Sequence, residues 1–292
     1  MYTMRPAEFE YHRPSSIDEA LGLLASVEDA KPLAGGHSLL PLMKLRLATP
    51  AALVDLAGIA GLGDISGNGD LTIGALATHA DVAGSQVAIG IAPVIPETAG
   101  LIGDRLVRNR GTIGGSVAHA DPAADYPTVL KALGATIVAT GKSGEREIPA
   151  DDFFVDVFTT SLAPGELVTA VRVPASGTGR GAAYLKHRHP ASSYAVVGVA
   201  ATVAAEGGIC TDARLVVGGA TGTPVTVGGV ADVLVGQSLS EDDDARAAAA
   251  EKVAEALTEP MGDLYASAEY RVHLAGVLAK RALRQAAERA AA

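Results

Sequence analysis

Apolar and polar positions alternate along this chain with two periods, and each change of period marks an element. Ile17, Ala20, Leu21 and Leu24 recur at helical spacing behind Ser16 and Glu19, which stand three apart as in a capping box. Extended segments flank that helix, Glu8 to Tyr11 before it and Ala30 to Leu33 after it. A glycine turn follows, then LLPLMKLRL reads as a helix and Leu53 to Leu56 as a strand, completing a small β-α-β lobe. From Ile65 the pattern changes: DISGNGDLTIGAL places Asn68-Gly69 between two apolar runs, a hairpin signal. Thr78 and Asp81 open a helix, and a further helical stretch runs through Pro93 and Glu97 to Gly103. A helix from Thr128 to Leu133, a strand from Ala135 to Thr140, a turn at Gly141 to Gly144 and strands at Arg146 to Ile148 and Leu167 to Val173 complete an α+β unit.

The stretch PASGTGRG, residues 174–181, reads as a linker. Beyond it Ala195 to Ala204 and Ala213 to Val217 predict an antiparallel sheet, with a turn at Glu206-Gly207-Gly208. The remainder is helical, with Ser240 and Asp243 spaced as another capping box and an Ala-rich helix from Asp263 to Ala290. The expected units are residues 1–57 (an α/β lobe), 58–178 (an α+β lobe) and 179–292 (a C-terminal α+β domain with a small antiparallel sheet and helices).

Composition narrows the function. The chain has 292 residues, 48% of them hydrophobic, enough for a substantial core. Its 33 acidic residues outnumber 23 basic ones, for a net charge of −10, and no basic block follows a phosphate backbone, so nucleic acid is not an expected partner. The longest apolar runs are too short to cross a bilayer and the N-terminus lacks an export signal, so the chain reads as cytoplasmic. One cysteine, Cys210, cannot supply an iron–sulfur cluster or a zinc site, and the seven histidines show no metal-ligand spacing. Any cluster belongs on another chain.

Two stretches carry the candidate chemistry. PLAGGHSLLPLMKLRL, from Pro32, and RNRGTIGGSVAHADPAADYP, from Arg108, each set paired glycines beside small hydroxyl residues where an apolar run meets a turn. Such turns can leave backbone amides bare to converge on an anion, and two of them suit a diphosphate. The N-terminus of the helix after the first would add its own donors. Two other matches fail their context. Gly141-Lys142-Ser143 ends like a P-loop, but Thr136 stands where its earlier glycine is required, and no long helix follows Gly177, Gly179 and Ala182 as a dinucleotide fingerprint requires. No nucleophile with its base, and no carboxylate pair, stands out.

AGGHSLLPLMKLRL and RNRGTIGGSVAHADPAADYP resemble the two flavin-binding loops of the FAD-binding medium subunit of molybdenum hydroxylases. The resemblance is to the aerobic carbon monoxide dehydrogenase medium-subunit type, related to the flavin domain of xanthine dehydrogenase, and it runs the length of the chain. It implies a two-lobed FAD-binding domain of the vanillyl-alcohol-oxidase type ahead of a C-terminal α+β domain. It also implies an electron-transfer role, with the molybdenum cofactor on a large partner subunit, two 2Fe–2S clusters on a small one, and a dimer of heterotrimers. The single cysteine argues against the benzoyl-CoA reductase branch, whose flavin subunit carries a cluster of its own.

Carried over by residue, Leu33, Ala34, Gly35, Gly36, His37, Ser38 and Leu39 would wrap the FAD diphosphate, with His37 positional. Thr112, Ile113, Gly114, Gly115 and Ser116 would face it from the other side with their amides and hydroxyls; many relatives have Asn in place of Ser116. Asp125 would accept from a ribose or ribityl hydroxyl, where the plain alternative is a helix cap. Ile102 would wall the adenine or dimethylbenzene side. Leu162 and Tyr194 would lie near the isoalloxazine, and Lys186 near its pyrimidine end, where a cation raises the flavin potential. Two other readings stay open. One is a self-contained FAD oxidoreductase with Tyr194 or Ser192 as proton donor; the other is a scaffold whose loops bind nothing.

Overall fold

The computed structural model describes residues 4–239 and 243–292. The paired Ser240 and Asp243 expected as a capping box lie outside the residues whose side chains are described.

The first unit runs β1 (Glu10–His12), α1 (Ile17–Ser26), β2 (Ala30–Leu33), α2 (Leu39–Lys44) and β3 (Ala52–Asp55). Its sheet is parallel, in the order β1-β3-β2, with Ala30 beside Ala52 and Leu33 beside Asp55. The helical spacing that predicts α1 turns Ala20 and Leu21 into a core shared with Val54, Leu56 and Ile59. Ser16 caps it by accepting the Glu19 N–H at 3.2 Å. The expected box is displaced by one residue, because the Glu19 carboxylate takes the N–H and hydroxyl of Ser15 instead. Helix α2 ends sooner than LLPLMKLRL implies, and the backbone turns away at Arg46 (φ 61°).

The second unit comprises β4 (Ile65–Asn68), β5 (Asp70–Gly74), α3 (His79–Gly84), α4 (Gln86–Ile91), α5 (Val94–Gly100), α6 (Arg105–Arg108), α7 (Ile113–His119), α8 (Asp125–Ala132), β6 (Thr136–Gly141), β7 (Gly144–Pro149), α9 (Ala150–Phe153), β8 (Phe154–Asp156), β9 (Thr159–Thr160) and β10 (Leu167–Val173). Strands β4-β5-β10-β6-β7 make an antiparallel sheet, and β8 and β9 a separate hairpin. Thr78 and Asp81, expected to open a helix, do so as the capping box of α3. The single helical stretch expected toward Gly103 is broken into α4 and α5 and ends at Gly100, and α6 follows it unforeseen. Helix α8 begins at Asp125, three residues before the position periodicity gives.

The third unit holds β11 (Arg180–Arg188), β12 (Ala195–Glu206), β13 (Ile209–Gly218), β14 (Val225–Thr226), α10 (Val230–Leu234), α11 (Asp243–Ala256) and α12 (Ala268–Ala291). Its four strands pair antiparallel in sequence order. Strand β12 is a continuous apolar run because both faces of this sheet are covered. Ala200 and Val216 join Tyr126 and Val129 in the core of the second unit, while Val199, Leu215 and Val217 pack with Ala279 and Leu283 of α12. Strand β11 was not foreseen, since YLKHRH runs four polar residues together after Leu185 and shows no strand alternation, and it takes two residues from the expected linker. Helix α12 starts at Ala268 rather than Asp263, because Asp263 accepts the N–H groups of Tyr265 and Ala266 in a turn and Ser267 caps the helix. Among the described residues no helix is long and apolar enough to cross a membrane.

Candidate cofactor cleft

A cleft of about 660 Å³ opens where the three units meet, within the size range of small-molecule sites. The first unit lines it with Lys31 to Leu39, the second with residues around Thr112, Asp125 and Leu162, and the third with Ser192, Ser193 and Tyr194. Its carboxylates, Asp121, Asp125 and Glu166, all come from the second unit.

The AGGHS segment links β2 to α2. Gly36 sits at φ 75°, and a Cβ on Gly35 would meet the Arg110 carbonyl oxygen at 2.1 Å, so this glycine lets the two motifs touch backbone to backbone. Among the described residues the amides of Gly35, Gly36, His37, Ser38 and Leu39 make no hydrogen bond within the protein. Ser38 stands at the N-cap of α2 without bonding an N–H through its side chain. Five consecutive unpaired donors on a cleft wall need an outside acceptor, and an anionic group such as a diphosphate supplies one. The His37 imidazole reaches the Leu106 carbonyl oxygen at 3.3 Å, a contact between the loop and α6.

The second motif departs from expectation. Thr112 is the N-cap of α7, so Ile113 to Ser116 are the first helical turn and not an open loop. Their amides are all engaged: Ile113 donates to Ala77 O, Gly114 to Ala75 O, Gly115 to Thr112 Oγ1 and Ser116 to Thr112 O. The amides of Ile113 to Ser116 are therefore spent on the fold, and what this turn presents to the cleft is the hydroxyls of Thr112 and Ser116 and the flat surface of Gly114 and Gly115. Ile113 does not reach the cleft; its side chain is fully buried in the core of the second unit.

Asp125 is on the wall yet 4% exposed. It is not a cap, since Ala124 holds that place. Its Oδ1 accepts from the Tyr184 hydroxyl at 2.5 Å and its Oδ2 from Lys186 Nζ at 2.9 Å. Burial pushes the carboxyl up, while Lys186 and the Tyr184 hydroxyl pull it back; burial, then Asp125, holds Tyr184 well above the usual phenol range. Lys186 is not on the wall. Its ammonium lies behind Asp125 and also donates to the Ser193 carbonyl oxygen at 2.8 Å, so a direct contact at the pyrimidine end is not what this arrangement offers. Tyr194 does line the cleft, with its hydroxyl raised by burial and by Asp121 and Asp125, as do Ile102 and Leu162.

His79 belongs to the cleft and was missed. It is 5% exposed, its N–H donates to Gly111 O, and burial with His37 and Arg108 nearby lowers its pKa to about 4. The imidazole is neutral, so it puts no charge on the wall at neutral pH. Its only sequence signal is the position after the Thr78 cap. Asp121 and His119, also unassigned from sequence, lie inside the second motif.

Comparison with known proteins settles the family. The model of the FAD binding domain in molybdopterin dehydrogenase matches residues 7–176. The chain belongs to this family. The CO dehydrogenase flavoprotein C-terminal domain matches residues 182–286. The carbon monoxide dehydrogenase medium chain of Afipia carboxidovorans is 42% identical, over 98% of this chain and 99% of its own length. The 6-hydroxypseudooxynicotine dehydrogenase complex subunit alpha of Paenarthrobacter nicotinovorans is 39% identical, over 98% and 97%. Among solved structures, quinoline 2-oxidoreductase from Pseudomonas putida 86 contains a chain that superposes with a TM-score of 0.92 at 34% identity, covering 98% of this chain and 99% of that one. This chain is thus an FAD-binding medium subunit of an oxidoreductase of the molybdenum hydroxylase class.

Proposed function

We propose that the cleft holds FAD and that the chain is the electron-transfer subunit of a heterotrimeric molybdenum-containing hydroxylase or dehydrogenase. In this reading a large partner carries the molybdenum cofactor and oxidises the substrate, and a small partner carries two 2Fe–2S clusters. The heterotrimers pair into a dimer in the cytoplasm. The observation that carries the reading is the run of five unpaired amides from Gly35 to Leu39, a donor array suited to the FAD diphosphate.

When bound, FAD supplies electron exchange, singly with a cluster and singly or in pairs with a terminal acceptor. The chain's residues hold and shield it. Leu33 and Ala34 lead into the amide array. Thr112 and Ser116 offer hydroxyls across from it, with Gly114 and Gly115 leaving room beside them. Asp125 accepts from a ribose or ribityl hydroxyl with its remaining lone pairs, and Ile102, Leu162 and Tyr194 form the walls around the rings. Ile113 and Lys186 serve from behind the wall. The three-unit division, 1–57, 58–178 and 179–292, belongs to the same proposal and is supported by the separate sheets of the three stretches, although their apolar clusters share residues across the boundaries.

The visible absorption spectrum of the purified chain before and after dithionite, with the released cofactor identified, tests the binding. Flavin bands that bleach on reduction, with FAD in the extract, are expected; a chain that stays colourless after incubation with FAD overturns it. The presence of Ser192 and Tyr194 on the wall is what a self-contained FAD oxidoreductase would need. Turnover of a small substrate by the chain alone would favour that second reading over the heterotrimer.

A further inference from the structure

The turn between β11 and β12 is the part of the third unit that enters the cleft, and its shape is unusual. Ser193 sits at φ 61°, a left-handed conformation that a serine adopts only when its surroundings compel it. Short bonds close the turn: His189 N–H to Tyr194 O and Ser193 N–H to His189 O, both 2.8 Å. They leave the Ser193 carbonyl facing inward, where Lys186 Nζ donates to it. The same ammonium is paired with Asp125, and both side chains are 5% exposed or less. Tyr184, two residues earlier on β11, completes the arrangement from the same strand face. Its ring fits because its neighbour on β12, opposite Lys186, is Gly198, where a Cβ would meet the Tyr184 hydroxyl at 2.3 Å.

We infer that Lys186 is a positioning residue: by bonding Asp125 of the second unit and the Ser193 carbonyl at once, it fixes the β11–β12 turn and so sets Tyr194 on the cleft wall. A buried ammonium needs an anion and hydrogen-bond acceptors to offset its lost hydration, and here the anion and one acceptor lie in different units. The bond is therefore also a bond between units. Tyr194, 44% exposed, makes no side-chain hydrogen bond among the described residues, so the place of its ring depends on the backbone of the turn. The role of Lys186 toward a cofactor is thus exerted through Tyr194 and Asp125. The inference uses the proposed FAD cleft to say why this placement matters, but the placement itself is a property of the chain without cofactor.

The chain contains no tryptophan, so Tyr194→Trp gives a single reporter at the position in question. In the cofactor-free full chain we expect the introduced indole to show restricted anisotropy with Lys186 in place. With Lys186→Met or Lys186→Gln it should lose that restriction, and hydrogen exchange of residues 189–195 should quicken by about tenfold or more while strand β6 stays protected. Lys186→Arg, which keeps the charge and the donors, should recover most of the order and guards against a variant that fails to fold. Unchanged anisotropy and unchanged exchange in Lys186→Gln, with β6 protected, would overturn the inference. If FAD affinity nonetheless fell in that variant, Lys186 would act on the cofactor directly. A chain that never binds FAD but still shows a Lys186-dependent turn would refute the cofactor reading and leave this one standing.

Discussion

The two glycine motifs look alike on paper and are used in opposite ways. AGGHS keeps its backbone donors unspent, and TIGGS spends those of Ile113 to Ser116 on the fold. The difference lies in what each segment meets. Gly35 and its neighbours lie between a short parallel strand and a six-residue helix, with nothing opposite their amides but the cleft. Thr112 to Ser116 abut Ala75 and Ala77 at the end of β5, whose carbonyls take the Ile113 and Gly114 N–H groups. A Cβ on Gly114 would stand 2.4 Å from that of Ala75, so its glycine serves packing. Paired glycines therefore mark close approach, and only the surroundings tell whether the approach is to a ligand or to the protein itself.

The largest test of this contrast falls on Gly35. A Gly35→Val chain must push the Arg110 backbone away, and overpacking of this kind costs about 1–3 kcal/mol. It should yield a colourless protein, because the amide array and the second motif are separated together; retention of stoichiometric FAD would break the account of the first loop.

Next comes pH, which acts on the second motif through His79. Its folded pKa, about 4, lies below the ordinary 6.5, so the unfolded chain binds a proton between those values that the folded chain does not. Stability should fall as pH drops through that window, by up to about 3 kcal/mol near pH 4. Urea midpoints at pH 7 and 4.5 should differ less in His79→Gln than in the parent; equal slopes would remove His79 from the explanation.

The smallest effect is also the sharpest comparison. Thr112→Val removes a cap that accepts the Gly115 N–H, at about 1 kcal/mol of stability, whereas Ser38→Ala removes no cap bond and should cost less than about 0.5 kcal/mol. Thermal melts of the cofactor-free variants would measure both, and a Ser38→Ala loss as large as that of Thr112→Val would show that the first loop, too, spends its groups on the fold.

Much of the fold was legible because local rules govern it. The β-α-β start, the hairpin at Gly69, the helix opened by Thr78 and Asp81 and the Ala-rich final helix all follow from spacing and caps. Strand β11 was not, since it ends in the polar run Lys186, His187 and Arg188, and only the contact with Asp125 of another unit buries the Lys186 side chain. Of the expected site residues, Ile113 and Lys186 are the two that lie off the cleft wall, and each is removed by a partner far away in sequence, Ala77 for the one and Asp125 for the other. His79 was invisible for the converse reason: nothing around it in sequence distinguishes a core histidine from a wall histidine.

By itself the sequence determined the family, the two motifs and much, though not all, of the order of elements, because spacing, caps and glycine pairs act over a few residues. Tertiary structure alone decided which amides are free, which carboxylate is buried and where the lysine points. A donor is available only if the rest of the chain leaves it unpaired, and a charge is exposed only if the rest of the chain leaves it wet.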